Sequence, residues 1–210
     1  MCADIIASPL PLAAKLKDNG AIWEYKPNGP HVQYVMADKH SPFYFNTDIA
    51  VSDTETLIEM CDYFAGVIQD ISSADWVVSY FTPSVAAGVA LAAALANRTG
   101  AKLGYLNLDN GAMPFPVSAG DRVIVAVDDI HSGSSTRSLI STLKNHGAIV
   151  QSHIITLGNF SGRSEIENHT IASIVQGQPQ TWSSSECPLC KAGSKALNPR
   201  KYWQELNQAI

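Results

Sequence analysis

Hydrophobic and polar positions follow two different periods along the chain, and the changes of period mark its elements. Five successive apolar residues, Val123 to Val127, end in the carboxylate pair Asp128-Asp129. An unbroken apolar run of that length predicts a strand buried on both faces of a parallel sheet. A loop of small, hydroxylated residues follows, His131-Ser132-Gly133-Ser134-Ser135-Thr136. The spacing then predicts a helix from about Ser135 to His146, with Leu139, Ile140 and Leu143 on one face and Gly147 at a left-handed C-terminal cap. Upstream, Asp75 to Phe81 reads as a second buried strand, broken at Thr82-Pro83-Ser84 before an alanine-rich helix over Val85 to Asn97 that ends at Gly100. Downstream, Ile149 to Leu157 is the next strand and Gly158 to Gly162 its exit loop. Strand–loop–helix units in tandem predict an α/β fold, a central, mainly parallel sheet flanked by helices. Its crossovers are right-handed and its ligands lie beyond the strands' C-terminal ends.

The N-terminal part has a different rhythm. A short helix over about Pro11 to Lys17 is closed by Asn19-Gly20. Two runs of strand-like alternation follow, Ala21 to Tyr25 and His31 to Met36, separated by a turn at Lys26-Pro-Asn-Gly-Pro30. Lys39 to Asn46 is an aromatic-rich strand, which is either plain core or the border of a planar ligand. Ser52-Asp-Thr-Glu55 offers a capping box, and Leu57, Ile58, Cys61, Phe64, Ala65, Ile68 and Ile71 then recur at helical spacing. Cys61 lies on that apolar stripe and reads as a small core residue rather than a nucleophile. His153, inside a strand pattern, reads as a core histidine.

Composition narrows the function. A length of 210 residues with 46% hydrophobic content suffices for one well-packed domain. A formal charge of -5, with no cluster of Lys or Arg, excludes a nucleic-acid or anionic-membrane surface. No apolar run reaches the length of a membrane span, and the first residues lack a basic region before an apolar one, so the expectation is a cytoplasmic protein acting on small molecules. Backbone N–H groups at a helix N-terminus, with Ser and Thr hydroxyls beside them, suit a phosphate monoester, which makes Ser132, Gly133, Ser134, Ser135 and Thr136 the candidate phosphate site. Asp128 and Asp129 at the adjoining strand end suit diol hydroxyls or a hydrated magnesium ion. Four cysteines, Cys2, Cys61, Cys187 and Cys190, are too few and too scattered for a disulfide framework. Cys187-Pro-Leu-Cys190 is half a zinc knuckle, a redox pair or a tight turn. Zinc needs two further ligands, and His146, His153, His169, Cys2 and Cys61 show no matching spacing.

The stretch from Arg122 to Arg137 resembles the phosphoribosyl-pyrophosphate (PRPP) motif of the type I phosphoribosyltransferases. Two further segments are similar to the orotate branch of that family. Tyr34 to Asn46, with Ser41 and Tyr44-Phe45-Asn46, resembles its hood segment, and Thr181-Trp182 through Glu186-Cys-Pro-Leu-Cys190 to Gly193 resembles a C-terminal tail found in that branch. The resemblance implies one domain over residues 1–210, with a hood from about 1–50 and 175–210 on a core of about 51–174. It implies transfer of ribose 5-phosphate from PRPP to a nitrogen base with magnesium as cofactor, orotate being the leading base and pyrimidine nucleotide synthesis the setting. Asp128 and Asp129 would then hold the ribose hydroxyls and, through ligand and water, magnesium; residues 132–136 the 5-phosphate; Thr82, Pro83, Ser84, Ala86 and Ala87 the pyrophosphate; and Tyr44, Phe45 and Arg163 the base. It also implies a homodimer. The chain departs from the pattern at several points. Ser134 stands where glycine is usual. Met36-Ala37-Asp38 replaces a lysine segment, and Ala86-Ala87 carries no charge. Leu103 to Gly120, at the place of a basic mobile loop, contains no Lys, Arg or His, and its Pro114 and Pro116 make it stiff. A non-catalytic PRPP- or nucleotide-binding regulatory protein is therefore the alternative expectation. Whether Lys39, Lys102 or Arg163 lies beside the ligand separates the two.

Overall fold

A computed structural model of the protein describes residues 6–7, 10–34, 38–82 and 86–208. Strand β1 (Ile6–Ala7) precedes helix α1 (Leu10–Asp18), which ends where Asn19 Oδ1 accepts the Ala21 N–H at 3.0 Å. Strands β2 (Ile22–Glu24) and β3 (His31–Tyr34) follow. The expected extension of β3 to Met36 lies outside the described residues. The aromatic run predicted as one strand is two, β4 (Lys39–Ser41) and β5 (Phe43–Phe45). Pro42 divides them because it has no N–H to give a ladder. Freed from each other, β4 pairs antiparallel with β3 and β5 with β2. Helix α2 (Thr47–Ser52) is capped by the Asn46 side chain, and α3 (Thr54–Val67) by Asp53, which accepts the N–H groups of Glu55 and Thr56 at 3.3 Å each. The cap is thus one residue later than Ser52, whose hydroxyl instead donates to Ile49 O at 2.8 Å and closes α2. Helix α3 ends four residues before Ile71, which sits in a separate 3-10 turn. Cys61 is fully enclosed in the core, and burial pushes its thiol up to about 12, as a core residue requires.

The central units are β6 (Trp76–Phe81), α4 (Ala87–Thr99), β7 (Lys102–Asn107), β8 (Arg122–Ile130), α5 (Ser134–Asn145), β9 (Ile149–Asn159), β10 (Glu165–Ile166) and β11 (His169–Gln176). They form a sheet of order β1-β11-β9-β8-β6-β7, parallel from β7 to β11, with β1 antiparallel at one edge and β10 paired to β11. The α/β expectation holds. Alternate residues of each strand feed two cores. On one face Val77, Ile124, Ala126 and Ile155 meet Phe64 of α3 and Leu91 and Leu95 of α4; on the other Val78, Val125, Val127 and Ile154 meet Leu139, Ile140 and Leu143 of α5. Because α4 and α5 cover opposite faces, the chain reverses its direction of progress between β6 and β8, and that crevice is where an open α/β sheet binds ligand.

One expectation is corrected here. His153 is half-exposed on β9 rather than in the core, with Nδ1 2.8 Å from the Ser152 hydroxyl and 3.9 Å from the Asp70 carboxylate. The first five residues of the cation-free stretch belong to β7, and Met113, Phe115 and Val117 of its remainder pack back on the sheet. The Phe115 ring stands edge-on to Tyr105 at 4.8 Å and to Trp76 at 6.3 Å, and Val117 is buried.

The C-terminal segment adds β12 (Trp182–Ser183), α6 (Pro188–Lys191), β13 (Ala196–Leu197) and α7 (Trp203–Gln208). The second sheet has the order β12-β4-β3-β13, so the two N-terminal strands lie between two C-terminal ones. Trp23, Val32, Leu197 and Leu206 form its core, and Trp23 Nε1 donates to Leu206 O at 3.2 Å.

Candidate active site

Strand β8 runs on through the acidic pair because Asp129 and Ile130 stay in register with Gly158 and Asn159 of β9. Successive residues of a strand face opposite ways, and the two carboxylates accordingly differ. Asp128 is 5% exposed and accepts a hydrogen bond from the Tyr80 hydroxyl of β6 at 2.9 Å. Burial, with the Asp129 charge beside it, lifts its pKa to about 6. Asp129 is partly exposed, with Oδ2 3.3 Å from His131 Nε2. Burial opposes charge on His131, but the hydrogen bond to Asp129 and the field of the acid pair outweigh it, so that imidazole holds its proton to a higher pH than a free histidine.

The loop after β8 is shaped by Gly133, whose φ of +75° is left-handed and whose absent Cβ would lie 2.8 Å from Ile166 Cδ1. Helix α5 starts at Ser134, one residue before the expected start. The first N–H groups of a helix have no intrahelical acceptor, and here the N–H of Ser134 has only the Ser132 hydroxyl, at 3.3 Å. A hollow of about 130 Å³ lies over them, lined by Tyr80, Asp129, His131 and all five residues of 132–136. Sequence reasoning missed Arg137, whose Nη2 donates to Ser132 O at 2.9 Å and which places a guanidinium on the loop. Its signal was its place in the first turn of the helix.

Helix α4 approaches β8 more closely than any side chain would permit, since a Cβ on Gly88 would lie 2.7 Å from Ser79 Oγ and 2.9 Å from the backbone N of Asp128. Of the expected pyrophosphate residues, Thr82 follows β6, Ala86 is the exposed residue preceding α4, and Ala87 is buried in the core; Pro83 and Ser84 lie outside the described residues.

On the hood side, Tyr34 stands edge-on to His131 at 6.2 Å and lies 5.8 Å from Tyr44, which in turn lies 5.8 Å from Trp203. Burial and then the Asp129 charge raise the Tyr34 hydroxyl far above its ordinary range. Burial also raises Tyr44, against a hydrogen bond from Arg200. Tyr44, Asn46, Asp48, Arg200 and Trp203 are among the residues lining an open hollow of about 500 Å³. Phe45 faces the other way, 3% exposed in the core, with its ring 6.1 Å from Phe160. Phe160 also lies 5.4 Å from His131 and fills the end of β9, where a Cβ on Gly158 would meet it at 2.6 Å. Arg163 is exposed beyond that strand, its carbonyl accepting from Asn159 Nδ2 at 2.8 Å, and lines neither hollow. Lys102 opens β7, 5.1 Å over the Trp76 ring at the opposite end of the sheet, and Lys39 is exposed on β4. The cations beside the two hollows are thus Arg137 and Arg200 rather than the three named from sequence.

None of the histidines weighed from sequence joins Cys187 and Cys190, but two that were not weighed do. His31 and His40, on adjacent strands, converge on both thiols. The signal available in sequence was two histidines, nine residues apart, on the two arms of one strand pair.

The parallel sheet, with the acid pair and the small-residue loop at its reversal point, has the type I phosphoribosyltransferase fold, as solved structures show. Orotate phosphoribosyltransferase from Aeropyrum pernix superposes with a TM-score of 0.64 at 23% identity, over 79% of this chain and 93% of that one. Adenine phosphoribosyltransferase from Rhodothermus marinus gives 0.59 at 15% identity, over 79% and 98%. UMP synthase of Leishmania donovani gives 0.64 at 20% identity over 80% of this chain, which spans 36% of that longer one. No protein-family model matches the chain. Among curated sequences, orotate phosphoribosyltransferase of Campylobacter jejuni subsp. doylei is 27% identical over 195 residues, 83% of this chain and 95% of the relative. That of Chlorobium phaeobacteroides is 27% identical over 163 residues, 76% and 81%. The chain thus has the type I phosphoribosyltransferase fold, and the curated relatives it is similar to are named for orotate.

Proposed function

We propose that the protein transfers ribose 5-phosphate from PRPP to a nitrogen base, with orotate as that base and pyrophosphate as the other product. The observation that carries this reading is that Asp129, next to the buried Asp128, lines one hollow together with the small-residue loop 132–136. The loop's free N–H groups and hydroxyls hold the 5-phosphate, and Arg137 adds a positive charge at its rim. That places the ribose over Asp128 and Asp129, whose carboxylates accept its hydroxyls and stabilise the positive charge that builds on the sugar. The bond from C1 to pyrophosphate breaks with its electron pair on the leaving oxygen, the base nitrogen closes a new bond to C1 with inversion, and the ring proton of the base passes to the released pyrophosphate or to water. The residues fit magnesium: burial beside a second carboxylate leaves Asp128 with its pKa raised to about 6 and no cation of its own within hydrogen-bond reach among the described residues, and both carboxylates are hard oxygen donors. Asp128 and Asp129 would hold magnesium, which would supply charge neutralisation for the departing pyrophosphate. Orotate is favoured over other bases by the aromatic hollow of Tyr44 and Trp203 with Arg200 on its wall, since a guanidinium reads a carboxylate bidentately. A homodimer and a cytoplasmic location belong to the same proposal.

Calorimetric titration with PRPP and magnesium, followed by an assay of pyrophosphate release with orotate and a panel of other bases, tests it. Turnover with orotate is expected. Binding without turnover on any base would move the protein to the regulatory reading, and absence of binding would reduce the central motif to a scaffold.

A further inference from the structure

Four side chains far apart in sequence meet inside the hood. Strands β3 and β4 are antiparallel with Gln33 opposite His40, so His31 and His40 are diagonal neighbours on one face. The C-terminal segment clamps both outer edges, β12 on β4 and β13 on β3, and the chain between them folds across that face carrying Cys187 and Cys190 at the start and end of one helical turn. The four potential ligand atoms all lie within 4.8 Å of one another. His31 Nε2 is 3.0 Å from His40 Nδ1 and 3.5 Å from each sulfur, and Cys190 Sγ is 3.3 Å from His40 Nδ1. Tetrahedral zinc with bonds of about 2.0 Å to nitrogen and 2.3 Å to sulfur sets ligand atoms about 3.3 Å apart for N and N and about 3.5 Å for N and S. The four groups already stand near that spacing.

Their surroundings orient the lone pairs inward. The Ser194 hydroxyl donates to Gly29 O at 2.8 Å, so toward His31 it acts as acceptor, and at 2.8 Å from Nδ1 it fixes the proton on that nitrogen. Nε2 of His31 is left with its lone pair toward the thiols. This is how a partner behind a metal-bound imidazole sets its tautomer. His31, His40 and Cys187 are buried. Packed together, the two imidazoles have only weak S–H donors and each other to meet the lone pairs they turn on the cluster, which is costly without something to bind them.

We infer that His31, His40, Cys187 and Cys190 form a structural zinc site of Cys2His2 type. Two thiolates and two imidazoles select zinc by ligand softness and geometry, and a closed set of four leaves no position for water or substrate. The site is distinct from the acid pair and works by joining the N- and C-terminal halves of the hood. Strand β3 carries His31 at one end and Tyr34, beside His131, at the other. Zinc would thus hold the wall of the base site in place without touching the reaction.

Elemental analysis of the whole protein purified from zinc-supplemented cells tests this directly, with about one zinc per chain expected. The double variant Cys187→Ser with Cys190→Ser should retain less than a tenth of that metal, while Cys61→Ala, at a cysteine outside the cluster, should keep it all. Exchange with cobalt should give an intense near-ultraviolet thiolate-to-metal absorption in the wild type and none in the double variant, a readout independent of activity. Folded wild-type protein that is metal-free and takes up no cobalt would overturn the inference. So would another metal at the same stoichiometry, or a Cys187–Cys190 disulfide in protein purified under reducing conditions.

Discussion

Replacing Asp128 by Asn should make the ligand-free protein more stable while weakening its binding of PRPP. Asp128 is 5% exposed and burial beside Asp129 raises its pKa from 3.8 to about 6. Below about pH 4 the carboxyl is protonated in folded and unfolded chains alike and contributes nothing to the difference. Between about pH 4 and 6 the folded chain keeps a proton that the unfolded chain has released, so stability falls as pH rises; above about pH 6 the full cost is present. At 1.36 kcal/mol per pH unit, that cost is about 3 kcal/mol. Asn keeps the acceptor for the Tyr80 hydroxyl but brings an amide N–H that needs a partner of its own, which returns about 1–2 kcal/mol. The net gain at pH 8 is about 1–2 kcal/mol, a rise of roughly 2–8 °C in Tm for a chain of this size. Scanning calorimetry of ligand-free wild type and D128N from pH 4 to 9 should show the wild type losing stability through pH 6 and the variant lacking that slope. A variant less stable than the wild type at pH 8, with the slope intact, would refute the reasoning. In titration with PRPP and magnesium, D128N combined with Asp129→Asn should bind tenfold or more weakly, about 1.4 kcal/mol or above. Unchanged affinity would remove both carboxylates from the site.

Two further substitutions probe the rim of the site. Gly133→Ala places a side chain at φ +75°, against Ile166, and should cost about 1–2 kcal/mol in urea denaturation while weakening ribose 5-phosphate binding; wild-type values for both would show that the loop needs no glycine. Arg200→Gln should raise the KM for orotate about tenfold or more, the loss of one charge-assisted contact, with PRPP affinity little changed. An unaltered KM would take Arg200 out of the base site.

How much of this was written in the chain follows from the range of each interaction. The strand carrying Asp128-Asp129, the small-residue loop and the helix beginning beside it are local consequences of apolar run length, of glycine and of helix-start chemistry; the helix starts within a residue of its expected place, and the strand runs three residues past Val127, through the acid pair. The core role of Cys61 is likewise a matter of helical period. Where a neighbour decides, sequence ran short. Pro42 split one expected strand into two, and only pairing showed that β5 joins β2 while β4 joins β3. His153 has the pattern of a core position but is half-exposed beside Ser152 and Asp70. Arg200 reaches the base hollow from a segment whose local pattern says nothing of it, and Gly158 cannot hold a side chain because Phe160 folds back over it. The clearest case is the hood cluster. Cys187 and Cys190 announce themselves by spacing, whereas His31 and His40 lie some 150 residues away. Only the closing of the C-terminal strands around β3 and β4 brings those donors to one point, because a ligand set is a property of distance in space, and sequence spacing reports that distance only within a turn or a hairpin.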